Sequence, residues 1–192
     1  MPLAMSQPLR PATAEEIPLV HHNLKAALAE TFPHLPAFQA REAARFSPDY
    51  LRVLSNANPA YVFIVDHLGQ NAGFMLAGPE QGNLVYYWGY IDPAQRKGGL
   101  ALASMAQFTK HWDNGRFHKI SAYTTAENRI AQLLMQRNGY KQIARLEKHI
   151  YGQDFLLFER ALNKTVAGYD ETPSLRLRQL IATKLKSKLR MV

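Results

Sequence analysis

Cysteine is absent from this 192-residue sequence. Its absence excludes disulfide bonds, thiolate metal sites and any reaction that passes through a cysteinyl intermediate. Long hydrophobic runs are also absent: none approaches the ~20 apolar residues that cross a bilayer, and Met1 to Arg10 lacks the charged-then-apolar order of a secretory signal. We therefore expect a cytoplasmic protein.

Metal-binding motifs are likewise missing. The seven histidines are scattered, and none falls in an HExxH or Cys/His spacing. His21 and His22 are adjacent on a predicted helix, where neighbouring side chains point about 100° apart and do not readily share one ion. We expect no metal.

Acidic residues are absent from the C-terminal end of the sequence. The formal charge is +8, and six basic residues without an acid lie between Pro173 and Val192, so most of the excess is in this tail. Ser174 is a candidate cap for a basic amphipathic helix in which apolar residues recur every four positions. The apolar stripe of that helix would dock on the body or on a second subunit of a homodimer, or the helix would contact a membrane surface or nucleic acid.

The rest of the composition is typical of one globular domain. Hydrophobic residues make up 47% of the chain and charged residues 20%, and domains cluster near ~100–150 residues. We expect one domain over residues 1–162, followed by residues 163–192 as a linker and the basic helix.

Hydrophobic periodicity predicts a mixed α/β chain. A short strand at residues 9–13 leads into a helix over 14–31, capped by Thr13 and buried through Ile17, Leu19, Val20, Leu24, Ala27 and Leu28. Pro48 interrupts a second helical stretch over 36–54. The other predicted helices span 99–112, apolar almost all round, and 128–138, with Gly139 after its end. The other predicted strands are 61–65, 72–77, 84–91, 119–123, 141–150 and 154–160.

One connection departs from the antiparallel order of the other strands. A helix joins strand 84–91 to strand 119–123, and such a crossover makes the two strands parallel neighbours. The predicted fold class is therefore an α/β mixed sheet, mostly antiparallel, with helices on both faces.

The loop from Ile91 to Ala101 lies between a strand and an apolar helix. Gly98 and Gly99 allow backbone amides to surround an anion without side-chain interference, and the helix N-terminus adds free N–H groups and the positive end of its dipole. The loop predicts phosphate binding or, alternatively, a plain turn. It matches neither GxGxxG nor GxxxxGK[ST], so Rossmann and P-loop sites are disfavoured.

Three motifs together resemble the GNAT N-acetyltransferases over about Leu9 to Leu162. Ile91, Pro93, Arg96, Gly99 and Ala101 match V-x-P-x-x-(R/Q)-x-x-G-x-(G/A). Residues 66–69 with Gly73 are similar to the family's central hairpin. The third motif, N-x-x-A-x-x-L-(Y)-x-x-x-G-(F/Y), is matched by Asn128, Ala131, Leu134, Gly139 and Tyr140.

The resemblance implies a splayed sheet and acetyl-coenzyme A as co-substrate. The pantetheine arm would pass between the two parallel strands, beside Asn128. A backbone N–H near Gly89, Tyr90 and Ile91 would face the thioester oxygen, as an oxyanion-hole donor does. The backbone amides from Arg96 to Ala101 would hold the pyrophosphate. The implied contacts of the coenzyme as a whole are Ile91, Arg96, Lys97, Gly98, Gly99, Leu100, Ala101, Asn128 and Met135.

The sequence departs from the family at Met135, which stands where a tyrosine commonly protonates the leaving thiolate. A thioether has no proton to give, so water or another side chain supplies it, or the thiolate leaves unprotonated with a pKa near that of an ordinary thiol (about 8.5). The same residue is also expected in a protein that binds acyl-coenzyme A without turning it over.

No carboxylate lies on strand 84–91, so the proton acceptor for the amine must come from elsewhere. Glu147, His149 and Asp154 are candidates, and His149 has a suitable ordinary pKa. Tyr123 is a candidate acid, or a core residue. The aromatic residues of strand 84–91 are expected to alternate between the sheet faces, half lining an acceptor pocket; they are Tyr86, Tyr87, Trp88 and Tyr90.

Two functional classes follow from these residues. The first is an N-acetyltransferase that moves an acetyl group directly to an amine on a small molecule or a protein. The second is an acyl-coenzyme A-binding module that uses the basic tail to bind RNA, a ribosome or a membrane. The sequence identifies neither the acceptor nor the preferred acyl length.

Overall fold

The computed structural model describes residues 8–96 and 98–168. The basic helix expected between Pro173 and Val192 lies outside these residues. Among the described helices, none is long and apolar enough to cross a membrane.

The helices and strands follow the predicted order. Short 3-10 turns precede the first helix at 14–16, precede the second strand at 59–61 and follow the fourth strand at 93–95. The helices are α1 (Ile17–Thr31), α2 (Pro36–Arg45), α3 (Pro48–Ala57), α4 (Leu100–Trp112) and α5 (Arg129–Arg137). The strands are β1 (Leu9–Pro11), β2 (Val62–His67), β3 (Gln70–Glu80), β4 (Asn83–Ile91), β5 (Lys119–Thr125), β6 (Lys141–Ile150) and β7 (Gln153–Ala161).

Seven strands form one sheet in the order β1-β2-β3-β4-β5-β7-β6. Only the β4–β5 pair is parallel among the described strands, and every other neighbouring pair is antiparallel. The crossover through α4 therefore produces the parallel pair that the sequence predicts, because a strand that re-enters a sheet after a helix runs in the same direction.

Helices cover both faces of the sheet. On one face Tyr86 packs edge-on against Phe108 of α4, with ring centroids 5.2 Å apart. On the other face the next residue, Tyr87, packs against Phe46 between α2 and α3, at 5.3 Å. We call these two sides the α4–α5 face and the α1–α3 face. The α/β mixed sheet expected from the sequence is thus confirmed.

Helix α1 buries the apolar side chains along one of its faces, but not every apolar residue that was predicted to be buried. Ile17, Val20, Leu24 and Leu28 are fully enclosed, at the spacing of one helical face, whereas Leu19 is 41% exposed. The prediction for Leu19 was wrong because it lies about 200° around the helix from Ile17. Helix α4 also buries only one side, despite its apolar composition.

Candidate functional site

The site is built around an irregularity in β4. The register between β3 and β4 shifts after Leu76, which pairs with Trp88, to Ala77, which pairs with Tyr86. Tyr87 is therefore an extra residue, and such a β-bulge bends its strand and increases the local twist. On its other side β4 pairs with β5 only over residues 84–86. Beyond Tyr86 the two parallel strands separate and leave a gap in the sheet.

The bulge also decides where the aromatic side chains of β4 point. Tyr87 and Trp88 both contact the α1–α3 face: Tyr87 packs on Phe46 and Trp88 on Phe32. Tyr86 alone of the three lies on the α4–α5 face. The expected strict alternation was wrong here, because a bulge places two successive side chains on one side of the sheet.

The loop after β4 begins with a turn held by Asp92. The side chain of Asp92 accepts a hydrogen bond from the Ala94 N–H at 2.8 Å, and its carbonyl accepts one from the Gln95 N–H at 2.8 Å. The Asp92 N–H in turn donates to the Ala72 carbonyl of β3, at 2.8 Å. These bonds fix the direction in which the chain leaves the sheet.

Two glycines follow, directly before α4. Gly98 and Gly99 have left-handed backbone angles, with φ of 71° and 76°, which glycine adopts at little cost. A methyl group added at either one would meet no atom of the residues that the structure describes within 4 Å. Both glycines are therefore required by backbone conformation, and the space beside them is open. Lys97, a predicted contact of the pyrophosphate, lies outside the described residues.

Among the described residues, no side chain caps the N-terminus of α4. The Gly99 carbonyl accepts the first helical bond, from the Ala103 N–H at 3.0 Å, and the N–H groups before Ala103 have no partner within the helix. Leu100 is buried and Ala101 half-buried, which anchors the helix start. Free N–H groups, the helix dipole and open space beside two glycines fit a pyrophosphate.

Arg96 is committed to the protein rather than to an anion. Its guanidinium binds both carboxylate oxygens of Glu30 on α1 at 2.6 Å, and its Nε donates to the Ile91 carbonyl at 2.8 Å. The guanidinium lies 5.5 Å from the centre of the Tyr90 ring, and its hydrogen bonds hold the pKa of Glu30 below the usual value. The side chain of Arg96 therefore ties the loop to α1.

A cavity of about 410 Å³ opens where β4 and β5 separate. Its walls come from both faces of the sheet. Met105, Asn128 and Met135 line it from the α4–α5 face. Phe32 and Glu42 line it from the α1–α3 face. The cavity therefore connects the two sides of the sheet through the gap.

Asn128 and Met135 line this cavity from opposite ends of α5. The Asn128 side-chain oxygen caps α5 by accepting the Ala131 N–H at 3.0 Å. The Met135 side chain is 4% exposed and presents a thioether to the cavity. No proton is available from that position, as the sequence predicts.

Tyr123 and His149 come together on the cavity wall. Their rings are stacked, with centroids 5.9 Å apart and planes 18° from parallel, and both line the cavity. His149 also packs edge-on against Phe155 at 6.0 Å. Tyr123 is 44% exposed, which contradicts the alternative of a core tyrosine. Its position, one residue past the last pair between β4 and β5, explains the exposure.

The other two predicted proton acceptors, Asp154 and Glu147, are less suited to accept a proton from an amine in the cavity. Asp154 accepts hydrogen bonds from the Lys148 N–H at 2.9 Å and from Arg145 at 2.6 Å, and these lower its pKa. A carboxylate held in this way is a weak base. Glu147 is exposed on β6 and is not among the residues that line the cavity.

Sequence reasoning missed the role of one buried phenol. Tyr86 lines the cavity from the α4–α5 face, and a methyl group added at Gly89 would overlap the Tyr86 hydroxyl. Gly89 therefore leaves room for this phenol against the β4 backbone. Burial raises the pKa of Tyr86, so the phenol keeps its proton at neutral pH.

Two carboxylates were also missed. Glu42 on α2 and Glu80 at the end of β3 line the α1–α3 side of the cavity with Arg45 between them. Nothing in their local sequence predicts a site, because α2 and β3 are brought together only by the tertiary fold.

Comparisons with known proteins agree with this geometry. Residues 22–140 match the model of the Acetyltransferase (GNAT) family. Among solved structures, YncA of Salmonella typhimurium, determined with its cofactor acetyl-CoA, is similar at 15% identity and a TM-score of 0.64, over 84% of this chain and 97% of that one. A ribosomal-protein-alanine N-acetyltransferase from Brucella melitensis is 19% identical with a TM-score of 0.61, over 80% of this chain and 99% of that one.

A third similar structure is Mycobacterium smegmatis RimJ in complex with CoA-disulfide, at 18% identity and a TM-score of 0.61, over 80% of each chain. At these identities the structures show a shared fold. No curated protein matches the chain in a sequence comparison.

Proposed function

The chain belongs to the GNAT acetyltransferase family, and from that premise we propose that it transfers an acetyl group from acetyl-coenzyme A directly to a primary amine. One observation supports the proposal most strongly. The uncapped start of α4, with left-handed Gly98 and Gly99 before it, lies beside the gap between β4 and β5 that opens into the cavity. An anion site and a channel through the sheet are thus adjacent.

The residues of the loop bind the pyrophosphate through the backbone. The N–H groups between Gly98 and Leu102 supply donors, while Arg96 holds the loop against Glu30. Asn128 borders the passage between β4 and β5. Bound there, acetyl-coenzyme A supplies an activated acetyl group within reach of the α1–α3 face.

The edge of β4 stabilises negative charge on the acyl oxygen. The chain near Gly89 has left β5, so backbone N–H groups on that side are free of a strand partner. A fixed donor of this kind is worth roughly 2.7–4 kcal/mol in comparable sites. Because the chain has no cysteine, the amine attacks the acyl carbon without a cysteinyl intermediate.

His149 removes the proton from the amine in this proposal. It lies on the α1–α3 side, stacked on Tyr123, and both border the cavity. The proton for the leaving thiolate comes from water or from the phenol of Tyr123 or Tyr86. Met135 supplies none.

Met135 also favours a second function, in which the protein binds acetyl-coenzyme A without turning it over. Calorimetric titration with acetyl-coenzyme A and a thiol-release assay with a panel of amines separate the two. Binding with amine-dependent thiol release supports the transferase. Binding without release under any amine supports the binding module, and no binding at all contradicts both.

A further inference from the structure

The part of the cavity on the α1–α3 face has walls made of aromatic rings. Phe32 packs edge-on against Phe38 at 4.7 Å and against Trp88 at 6.2 Å, and it stacks on Phe155 at 6.2 Å. We call this part the acceptor end. Its walls are flat and apolar, which suits a flat apolar group better than an extended polar chain.

A carboxylate lies within these walls. The side chain of Glu42 is only 13% exposed, yet its contacts are weak for a carboxylate that is largely buried. Its Oε2 accepts a neutral hydrogen bond from Trp88 Nε1 at 3.3 Å, and its Oε1 lies 3.6 Å from Arg45 Nη1, which is beyond hydrogen-bond distance. A carboxylate accepts about four hydrogen bonds, so Glu42 has acceptor capacity to spare.

Arg45 does not neutralise the acceptor end. It makes its shorter contact, at 3.1 Å, with Glu80, and its guanidinium lies over the rings of Phe46 and Tyr87 at 4.8 and 5.3 Å. Two carboxylates therefore share one guanidinium that is held against aromatic rings. A second cation would balance the charge.

The turn between β6 and β7 contacts α2 next to Phe38, which lines this end. Tyr151, in the turn between β6 and β7, packs edge-on against Phe38 at 5.7 Å, and its hydroxyl accepts a hydrogen bond from Arg41 at 3.4 Å. The β6–β7 turn is thereby joined to α2.

We infer that the acceptor is a small cationic amine with a flat apolar body, drawn in by Glu42 and held against the wall formed by Phe32, Phe38 and Trp88. The inference rests on the proposed function and names the substrate class of the same site. Glu42 and Glu80 attract the ammonium group and disfavour an anionic analogue, while the rings add cation–π attraction and apolar contact. Glu42 is a specificity-determining residue in this account.

Binding is tested without turnover through tryptophan fluorescence. Trp88 borders the acceptor end, whereas the other tryptophan, Trp112, is 1% exposed and stacked on Tyr61. In the presence of coenzyme A, 2-phenylethylamine should quench the emission at lower concentration than 2-phenylethanol, and phenylacetate should be weakest. The Trp88→Phe variant should lose the signal. Equal binding of the cationic, neutral and anionic compounds overturns the inference.

Steady-state kinetics test whether the carboxylate of Glu42 binds the amine. Glu42→Gln keeps the shape and an oxygen for Trp88, and it should raise KM for 2-phenylethylamine about tenfold or more, because hydrogen bonds to charged groups are about that strong. KM for acetyl-coenzyme A should stay the same. The matched control is Asp49→Asn, which removes a carboxylate that also pairs with an arginine three residues on, at 2.9 Å, but on the exposed surface of α3. An unchanged amine KM in Glu42→Gln contradicts the inference.

The panel also includes putrescine, which is cationic without a flat aromatic body, and a tripeptide amide that has a free N-terminus and no charged side chain. If either is acetylated and 2-phenylethylamine is not, the substrate class is wrong while the acetyltransferase remains. If acetyl-coenzyme A does not bind at all, the proposed function itself fails. The two failures are therefore distinguishable.

Discussion

Replacing Gly99 with valine tests the phosphate loop most directly. At φ 76° a residue with a side chain costs roughly 1–2 kcal/mol of folding free energy, and a β-branched one fits poorly. A Cβ there would meet no atom within 4 Å in the described part of the chain, so the fold should survive. The same side chain would occupy the space through which a pyrophosphate reaches the amides of α4.

The loss of binding can be estimated from the hydrogen bonds affected. Two charge-assisted bonds at roughly 1.5–3 kcal/mol each amount to about two to four powers of ten in Kd. Calorimetric titration of acetyl-coenzyme A into wild type and variant measures this change. Urea unfolding measures the folding cost independently.

Gly69 offers a matched control. It has φ 78°, and a Cβ there would also meet no atom within 4 Å, but it lies in the turn between β2 and β3. Gly69→Val should therefore show a similar folding cost and unchanged acetyl-coenzyme A affinity. If both variants bind like wild type, the loop is only a turn. If both lose binding equally, the effect comes from destabilisation rather than from the loop.

Three further predictions follow from side chains near the site or the entry to α1. Arg96→Ala should weaken acetyl-coenzyme A binding less than Gly99→Val and lower stability by up to about 1 kcal/mol in urea, because its exposed pair with Glu30 is what disappears; a Kd change as large as that of Gly99→Val contradicts it. Met135→Tyr should raise kcat toward the ~10²-fold that a general acid contributes, with amine KM little changed; an unchanged kcat in a folded variant shows that proton delivery does not limit the reaction. Arg10 lowers the pKa of Glu16 to about 2; since the folded pKa is below the unfolded one, the stabilisation is full above about pH 4.5 and is lost as pH falls toward 2. Glu16→Gln should therefore differ from wild type in urea stability at pH 7 and converge with it near pH 2, and a constant difference contradicts the linkage.

The topology could be predicted because its signals are local. The apolar periods give the strands and helices, and the helix between residues 99 and 112 dictates that its flanking strands run parallel. The glycine pair before α4 has the left-handed angles for which glycine is used. Gly139, with φ 77°, likewise ends α5 where a C′ glycine was expected.

The details of the cavity could not be predicted, because they depend on register and tertiary contact. The run Tyr86-Tyr87-Trp88 is aromatic at every position, so its pattern does not reveal which residue is extra in the bulge. The bulge in turn decides which rings face α1–α3. Glu42 and Glu80 lie 38 positions apart in the chain, and only the packing of α2 beside β3 makes them neighbours.

The short pairing between β4 and β5 divides the sheet into two hydrogen-bonded halves. Three register pairs join strands β1 to β4 with strands β5 to β7, whereas seven pairs join β5 with β7. This seam is a weak line inside the sheet, and amide hydrogens beside it should exchange with solvent by local opening before those that pair β5 with β7. A ligand that contacts both the start of α4 and Asn128 touches both halves at once. Its binding should therefore slow amide hydrogen exchange in both halves of the sheet together.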